Sequence, residues 1–515
     1  MLTAPLSRLA SLTGWRAHAA AAVLGLLSAL ALPPLHLLPV LLLVVPGLLA
    51  LIGAAPTWRG ALLRGFWFGF AHHLLGLYWV TDAILIEAAR YWWLVPLAVP
   101  ALSAGLALFI AAACGVARLA APGWRRAFAL AGAWVLLDGA RQFIATGFPW
   151  NLWGADWAVP GWFGDVFIQL AAWVGVPGLT LFTLLLAATP GLGRRALAIG
   201  AVGLIAWGGF GVLRLSAPPP PAPGVEAVLA QGNVAQGEKW NRARAIEIFR
   251  RYLALTRNGL AEARTRAPAS TPVVVWPESA SPFLADTDAG ARAAIAEATG
   301  GAAALIGSVR FDADNRPRNS LVALVGSGPP VALYDKWHLV PFGEYAPGWV
   351  PFAVQLVPGG GFAFGPGPAT IHVPGLPPAG PLICYEAIFP AQVVDEADRP
   401  AWMVNVTNDA WFGNSTGPRQ HLAAARLRAV EEGMPLVRAA NTGISAAFDA
   451  YGRELARLGL GMAGTVVVAL PGAVAAPPFA RFGLAIPAAL ACLALLAGLA
   501  SPKSFYNRRG ETHRI

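Results

Sequence analysis

The 515 residues carry 37 Lys and Arg against 27 Asp and Glu, a formal charge of +10, yet only 12% are charged and 56% are hydrophobic. That composition excludes an ordinary soluble globular protein, and the length exceeds one domain. The expected fold is a polytopic α-helical membrane domain joined to an exported α/β domain.

A helix needs about 20 predominantly apolar residues to cross a bilayer. In chain order such runs are predicted at 15–32, 35–54, 61–80, 92–116, 128–144, 162–188 and 196–215, with an eighth at 481–500. A cleaved leader precedes a soluble chain, whereas the first run here is followed by six more, so the first span is expected to be retained.

Lys and Arg collect in short cytoplasmic loops. Alternate loops here are basic: Arg8 and Arg16; Arg59 and Arg64; Arg118, Arg125 and Arg126; Arg194 and Arg195; Lys503, Arg508 and Arg509. The loops between them carry Asp82, Glu87, Asp156 and Asp165. Both termini are therefore expected in the cytoplasm and residues 216–480 on the other side of the membrane. The basic loops account for the net charge, which withdraws support from nucleic-acid binding.

A stretch at 216–224 with five prolines reads as a stiff linker. The predicted organisation is a membrane domain at 1–215, that linker, a catalytic domain at 225–472, and a linker, last span and tail at 473–515. Within the exported domain, strands are expected at 225–230, 273–276, 303–308, 320–325, 331–334, 381–383, 403–406, 437–440 and 445–448. Helical spacing appears at 242–264 and 420–432. There is no Walker loop, GxGxxG or HExxH, and no cofactor or metal is expected.

Three fragments place a reactive residue directly after a hydrophobic run: Val273-Val-Val-Trp-Pro-Glu278, Tyr334-Asp-Lys336-Trp, and Pro381-Leu-Ile-Cys384-Tyr-Glu386. Together they supply a base, a cation and a nucleophile, the needs of attack on an ester carbonyl. Cys384 is the one cysteine outside the predicted spans, since Cys114 and Cys492 fall within them. A helix beginning near Glu386 is expected to favour its thiolate. Taken singly, a cysteine after a strand is more often a core hydrophobe, and a Glu and Lys more often a structural ion pair.

The joint order Trp-Pro-Glu278, Asp-Lys336 and Ile-Cys384-Tyr-Glu resembles the Glu-Lys-Cys triad of the nitrilase, or carbon-nitrogen hydrolase, superfamily, whose fold is an α-β-β-α sandwich. Seven spans before that domain and one after it narrow the resemblance to the apolipoprotein N-acyltransferase family. Further matching segments are Gln231-Gly-Asn-Val, Lys239-Trp240, Pro341-Phe-Gly-Glu344-Tyr, Asn405-Val-Thr-Asn408-Asp409 and Arg438-Ala-Ala-Asn441-Thr-Gly-Ile-Ser445.

The resemblance implies that Cys384 takes an acyl group from a phospholipid as a thioester and passes it to the α-amine of a diacylglyceryl-cysteine apolipoprotein. It implies Glu278 as general base, Lys336 as oxyanion stabiliser, Glu344 as support for the triad, Tyr385 and Glu386 as residues shaping the site, and Trp240 on a mobile substrate-facing arm. A monomer among membrane lipids is expected. Two rivals stand beside this reading: a membrane-anchored amidase hydrolysing small amides with the same triad, and a lipid transporter or lipoprotein-binding scaffold.

Other conspicuous residues carry plainer expectations. Trp92, Trp93, Trp150, Trp153, Trp157 and Trp162 sit near span ends and read as an aromatic belt. His72, His73 and Asp138 lie inside spans, where function and bundle-internal hydrogen bonding compete. Turn capping competes with a site role for Asn405, Asn408, Asn441 and Ser445. Glu431 and Glu432, on a helix with Arg426 and Arg428, read as a solvated face. The Asn414-Ser-Thr sequon is discounted for a bacterial protein.

Overall fold

A computed structural model describes residues 3–239, 241–348 and 361–500. Trp240 and the basic tail at Lys503, Arg508 and Arg509 lie outside the described residues.

Helices stand at each predicted apolar stretch: Gly14–Ser28, Leu41–Ala54, Trp58–Gly76, Val95–Leu119, Trp124–Arg141, Ala171–Ala188, Arg194–Leu215 and, after the α/β domain, Ala485–Leu499. Among the described residues, four helical runs are long and apolar enough to cross a membrane: Gly14–Ala31, Ala88–Leu119, Trp162–Gly191 and Arg194–Leu215. The helices Trp58–Gly76 and Trp124–Arg141 are less apolar because each carries charged or imidazole side chains, yet Arg64, His72, His73, Arg126, Asp138 and Arg141 are buried among the other helices. His72 Nδ1 lies 2.8 Å from Ser28 Oγ, and Asp138 pairs with Arg141 at 3.1 Å. These contacts are bundle-internal bonding.

The opposite extreme is Arg194–Leu215, where only Trp207 and Gly211 are buried while Ile199 is 72% and Ile205 74% exposed. Such an apolar surface suits lipid tails. Gly132 lets the last helix approach closely, since a Cβ there would lie 2.4 Å from the Ala491 carbonyl. The stretch expected as one span at 162–188 lies within the single run Trp162–Gly191, which is irregular inside: Trp162–Phe167, a 3-10 turn Ile168–Leu170 and Ala171–Ala188, with Gly175 at φ +65°.

The α/β domain contains eleven strands among the described residues: β1 Val225–Gln231, β2 Thr271–Trp276, β3 Ala303–Phe311, β4 Pro317–Leu324, β5 Ala332–Asp335, β6 Ala379–Ile383, β7 Trp402–Thr407, β8 Leu436–Ala440, β9 Ser445–Phe448, β10 Glu454–Leu458 and β11 Gly464–Ala469. The sheets run β11-β1-β2-β3-β4-β5 and β10-β9-β8-β7-β6. Neighbours are parallel in β1-β2-β3 and in β6-β7-β8, and antiparallel elsewhere.

Strand periodicity explains the layers. In β1 to β3, Ala227, Leu229, Val273, Val275, Ala303 and Leu305 face the second sheet, packing with Ile383, Val404 and Val437. Their alternates Val228, Ala230, Val274, Trp276, Ala304 and Ile306 face the helices Ala245–Arg266 and Ala289–Thr299. The other sheet is covered by Gly417–Glu432, whose Leu422, Ala425 and Ala429 pack on Leu382, Met403 and Leu436. The result is the expected α-β-β-α sandwich. Strands β10 and β11 and the helix Ala289–Thr299 were not anticipated.

The helix Gly417–Glu432 corrects another expectation. Glu431, Glu432, Arg426 and Arg428 are buried, because its far side packs against the membrane half. Ala423, Leu427 and Val430 join Trp157, Ile168 and Val176 in one core, and Glu431 Oε1 accepts the Val176 N–H freed by the break at Gly175, at 2.7 Å. The belt expectation fails likewise for Trp150, Trp153 and Trp157, which are buried, whereas Trp92, Trp93 and Trp162 are exposed. The segment holding the buried three folds in between the helices and the α/β domain, and Trp150 and Trp157 donate to Gln420 and Thr183.

Candidate active site

Each strand end contributes one reactive side chain. β2 ends at Trp276, two residues before Glu278; β5 ends at Asp335, before Lys336; β6 ends at Ile383, before Cys384. All three residues are at least 95% buried. Cys384 has φ +52° and Ser279, after Glu278, φ +45°. Such left-handed backbone costs a non-glycine residue about 1 kcal/mol or more and persists only where its surroundings hold it. Gly307 on β3 permits this packing, since a Cβ there would lie 1.9 Å from the Pro277 carbonyl. Asp335 is held by Arg310 Nε at 2.7 Å and Ser320 Oγ at 2.6 Å, which aims the chain at Lys336.

The charges interlock around Lys336. Its Nζ donates to Glu278 Oε1 at 3.1 Å and to the Glu344 carboxylate at 2.9 Å. Asn319 Nδ2 also bridges the two carboxylates, at 2.7 and 2.8 Å. The outer oxygens are taken by backbone donors: Asn408 N–H to Glu278 Oε2 at 2.9 Å and Val340 N–H to Glu344 Oε2 at 2.7 Å. A second buried lysine, Lys239, donates to the Glu278 carbonyl at 2.8 Å.

Burial opposes charge on Glu278, but Lys336, Lys239 and Asn319 outweigh it and hold the carboxyl below its usual range. Burial likewise opposes the Lys336 ammonium, and Glu278, Glu344 and Cys384 override it, raising its pKa. Burial lowers Lys239 to about 8 against the pull of Glu278. A proton acceptor is thus kept ionised beside a fixed cation.

Cys384 departs from the expected activated thiolate. It opens a 3-10 turn of five residues, Cys384–Ile388, too short to lend a useful dipole, and burial pushes the thiol up, with Glu278 and Asp409 acting in the same direction. Lys336 and a Thr407 hydrogen bond act the other way. Cys384 therefore rests as a thiol, with the ionised Glu278 carboxylate within electrostatic reach.

Glu386 braces the site. Its Oε1 accepts the Trp337 and His338 N–H groups at 2.7 and 3.3 Å, and its Oε2 accepts the Ile383 N–H at 2.6 Å and the Tyr334 hydroxyl at 3.0 Å. One carboxyl therefore joins the loop after Lys336 to the turn before Cys384. Burial raises it to about 7 despite these donors. Tyr385 donates its hydroxyl to Gly147 O at 2.7 Å, on the membrane half.

The structure thus gathers Glu278, Lys336, Glu344 and Cys384 into one buried cluster, with Glu386 as its brace and Tyr385 at the seam. Among the residues with two competing readings, Asn408 touches Glu278 through its backbone, and its side-chain oxygen accepts from Asn441 at 3.0 Å. Ser445 Oγ donates to Gln231 at 2.6 Å, and Asn405 Nδ2 donates to Leu382 O at 3.0 Å. Asn319, Lys239 and His421 were missed. Lys239 stood in a noted segment beside Trp240, whereas Asn319 and His421 carry no local signal.

Two families match the chain: apolipoprotein N-acyltransferase N-terminal domain over residues 24–189 and carbon-nitrogen hydrolase over 242–477. An apolipoprotein N-acyltransferase of Bradyrhizobium diazoefficiens is 40% identical over 517 residues, covering 94% of this chain and 94% of that one. One from Rhodopseudomonas palustris is 38% identical, covering 95% and 97%, and one from Caulobacter vibrioides is 37% identical, covering 95% of each. The similarity extends through the membrane half, which does not favour the small-amide hydrolase alternative.

Proposed function

The chain belongs to the apolipoprotein N-acyltransferase family, and from that membership we propose a two-step acyl transfer through a thioester on Cys384. It is an acyltransferase of the carbon-nitrogen hydrolase superfamily. The proposed donor is a phospholipid, and the proposed acceptor is the free α-amine of an N-terminal diacylglyceryl-cysteine on an apolipoprotein.

One observation carries the reading: Lys336 Nζ lies between the carboxylates of Glu278 and Glu344, at 3.1 and 2.9 Å, beside a thiol that burial keeps protonated. In the first step Cys384 Sγ attacks the ester carbonyl carbon of the phospholipid while Glu278 takes the thiol proton. The tetrahedral oxyanion is stabilised by the Lys336 ammonium. Its collapse breaks the ester C–O bond, and Glu278 returns the proton to the departing lysophospholipid oxygen. In the second step the acceptor amine attacks the thioester carbonyl, Glu278 takes the amine proton, and the C–S bond breaks. The thiolate regains that proton as the amide leaves.

Glu344 keeps Lys336 aimed by sharing its ammonium and Asn319 with Glu278. Trp240, next to Lys239, is proposed to lie on the substrate-facing arm. Both substrates are lipid-anchored, so the site must be held at a membrane surface. The proposed topology is seven spans before the catalytic domain and one after it, in the bacterial inner membrane, with both termini cytoplasmic and the catalytic domain periplasmic. The alternating basic loops support it. The enzyme is proposed to act as a monomer without cofactor.

The test is intact-protein mass spectrometry of wild type and Cys384→Ala after incubation with a defined phospholipid and no acceptor. A fatty-acyl increment on wild type, released by hydroxylamine and absent from Cys384→Ala, is expected. An increment that survives hydroxylamine, or that appears on Cys384→Ala, contradicts the thioester.

A further inference from the structure

With φ at +52°, Cys384 turns its carbonyl out of the strand direction, and that carbonyl accepts the Nε2–H of His421 at 2.9 Å. A carbonyl can only accept, so Nε2 carries the hydrogen. The other ring nitrogen, Nδ1, lies 3.0 Å from Asp409 Oδ1 and 3.1 Å from Arg438 Nη2. Arg438 also binds Asp409 Oδ2 at 2.7 Å and the Asn405 side-chain oxygen, and Asn405 Nδ2 donates to the Leu382 carbonyl. One fully buried chain of hydrogen bonds therefore ends on the carbonyls of residues 382 and 384.

A Cys, a His and an Asp in series suggest a base, but the geometry differs. The imidazole bonds to the Cys384 main chain, and Asp409 and Arg438 lie at its far nitrogen. The ring is placed to hold the backbone of the nucleophile, and both its nitrogens are engaged away from Sγ, so neither is placed to take the thiol proton.

The preceding residue faces the membrane half. Gln420 Oε1 accepts the indole N–H groups of Trp79 at 3.1 Å and Trp150 at 2.8 Å, and the His421 ring lies 5.6 Å from the Trp150 ring. Two consecutive residues at the start of Gly417–Glu432 thus hold the membrane half and the nucleophile turn.

We infer that His421 is a positioning residue: its Nε2–H fixes the Cys384 carbonyl, and with it the direction of Sγ, while Gln420 makes that hold depend on the seating of the membrane half. This rests on Cys384 being the nucleophile. An imprecise nucleophile loses rate without losing substrate binding, and a displacement of about 1 Å can cost roughly 100-fold.

The experiment uses the full chain in lipid nanodiscs with phospholipid as donor, following Cys384 acylation by mass. His421→Gln keeps a donor near the position of Nε2, whereas His421→Asn keeps one only near Nδ1. His421→Asn is expected to slow acylation roughly 100-fold with KM unchanged, and His421→Gln to recover at least about 10-fold of that loss. The pH midpoint of Cys384 alkylation by iodoacetamide should stay at the wild-type value in both. Equal loss in the two variants, an unchanged rate in His421→Asn, or a shifted alkylation midpoint would overturn the inference.

Gln420→Met, which leaves the His421 network intact, is expected to slow acylation about 10-fold by the same loss of alignment. It decides the matter should His421→Asn fail to fold, since an unchanged rate overturns the coupling. Cys384→Ala run alongside separates the two readings: acylation that persists there refutes the nucleophile assignment, whatever the His421 variants do.

Discussion

The hydroxyl of Tyr385 donates to the backbone carbonyl of Gly147 at 2.7 Å, so the residue directly after Cys384 is bonded to the membrane half of the molecule. The Tyr385 ring also stacks on Phe148 at 6.3 Å and meets Phe389 edge-on at 5.2 Å. Tyr385→Phe keeps the ring and loses one neutral hydrogen bond, leaving the Gly147 carbonyl without that donor. We expect a stability loss of about 1 kcal/mol and a drop of several-fold in turnover, measured by thermal unfolding and acyl transfer in the same lipid.

Lys336→Met removes the cation between two buried carboxylates. Glu278 and Glu344 would then share Asn319 with no ammonium between them, leaving Lys239 as the cation near Glu278, so at least one should take up a proton and the proposed base would be weakened or lost. Acylation of Cys384 should fall by roughly 10³-fold, the upper range for one lost electrostatic stabiliser. Lys336→Arg should not rescue it, because a planar guanidinium does not fit a site built around one compact ammonium. Single-turnover acylation measures both.

Stability should depend on pH through Glu386 and Glu431, both raised from 4.5 to about 7, chiefly by burial. A raised folded-state pKa means that the native protein binds the proton more tightly than the unfolded chain. The associated stability is full below about pH 4.5 and is lost as pH rises through about 7. Asp409 has the opposite sign, being lowered to about 2, and its contribution disappears only below about pH 4. The thermal midpoint should therefore fall by several degrees between about pH 5 and pH 7, and Glu431→Gln should flatten that slope.

Arg428 Nη2 and Glu431 Oε2 form a buried pair at 2.8 Å at the seam between the two halves. Removing one partner strands a buried charge, which costs about 3–5 kcal/mol, whereas replacing both by apolar residues of similar volume is far milder. Arg428→Met and Glu431→Leu should each destabilise more than the double variant does, despite loss of the Val176 contact in both proteins lacking Glu431. A thermal double-mutant cycle measures the difference.

Most of the candidate site was legible because its signals are local. Trp276-Pro-Glu278, Asp335-Lys336 and Ile383-Cys384 each couple a buried strand to the residue just past its end, and strand periodicity does the rest. What escaped was set by tertiary contact. Glu431 and Arg428 look like surface charges on a helix of mixed composition, and only the docking of the membrane half buries them. Trp150 looks like a belt residue until Gln420, 270 positions away, accepts its N–H. Asn319, which bridges Glu278 and Glu344, sits in a strand with no motif. The five exposed-to-intermediate residues of β10 lack the apolar alternation that marks a strand, whereas the valines of β11 do carry a strand signal.

In the proposed mechanism, Cys384 passes its acyl group to an amine. The most direct measurement isolates wild type acylated by phospholipid, removes free lipid, and adds a synthetic diacylglyceryl-cysteine peptide with a free α-amine, following both masses. The account predicts that the acyl increment leaves the protein and appears on the peptide as a hydroxylamine-stable amide, while an α-acetylated peptide leaves the acyl-enzyme intact. Loss of the increment to water at the same rate with either peptide, yielding free fatty acid, would contradict it.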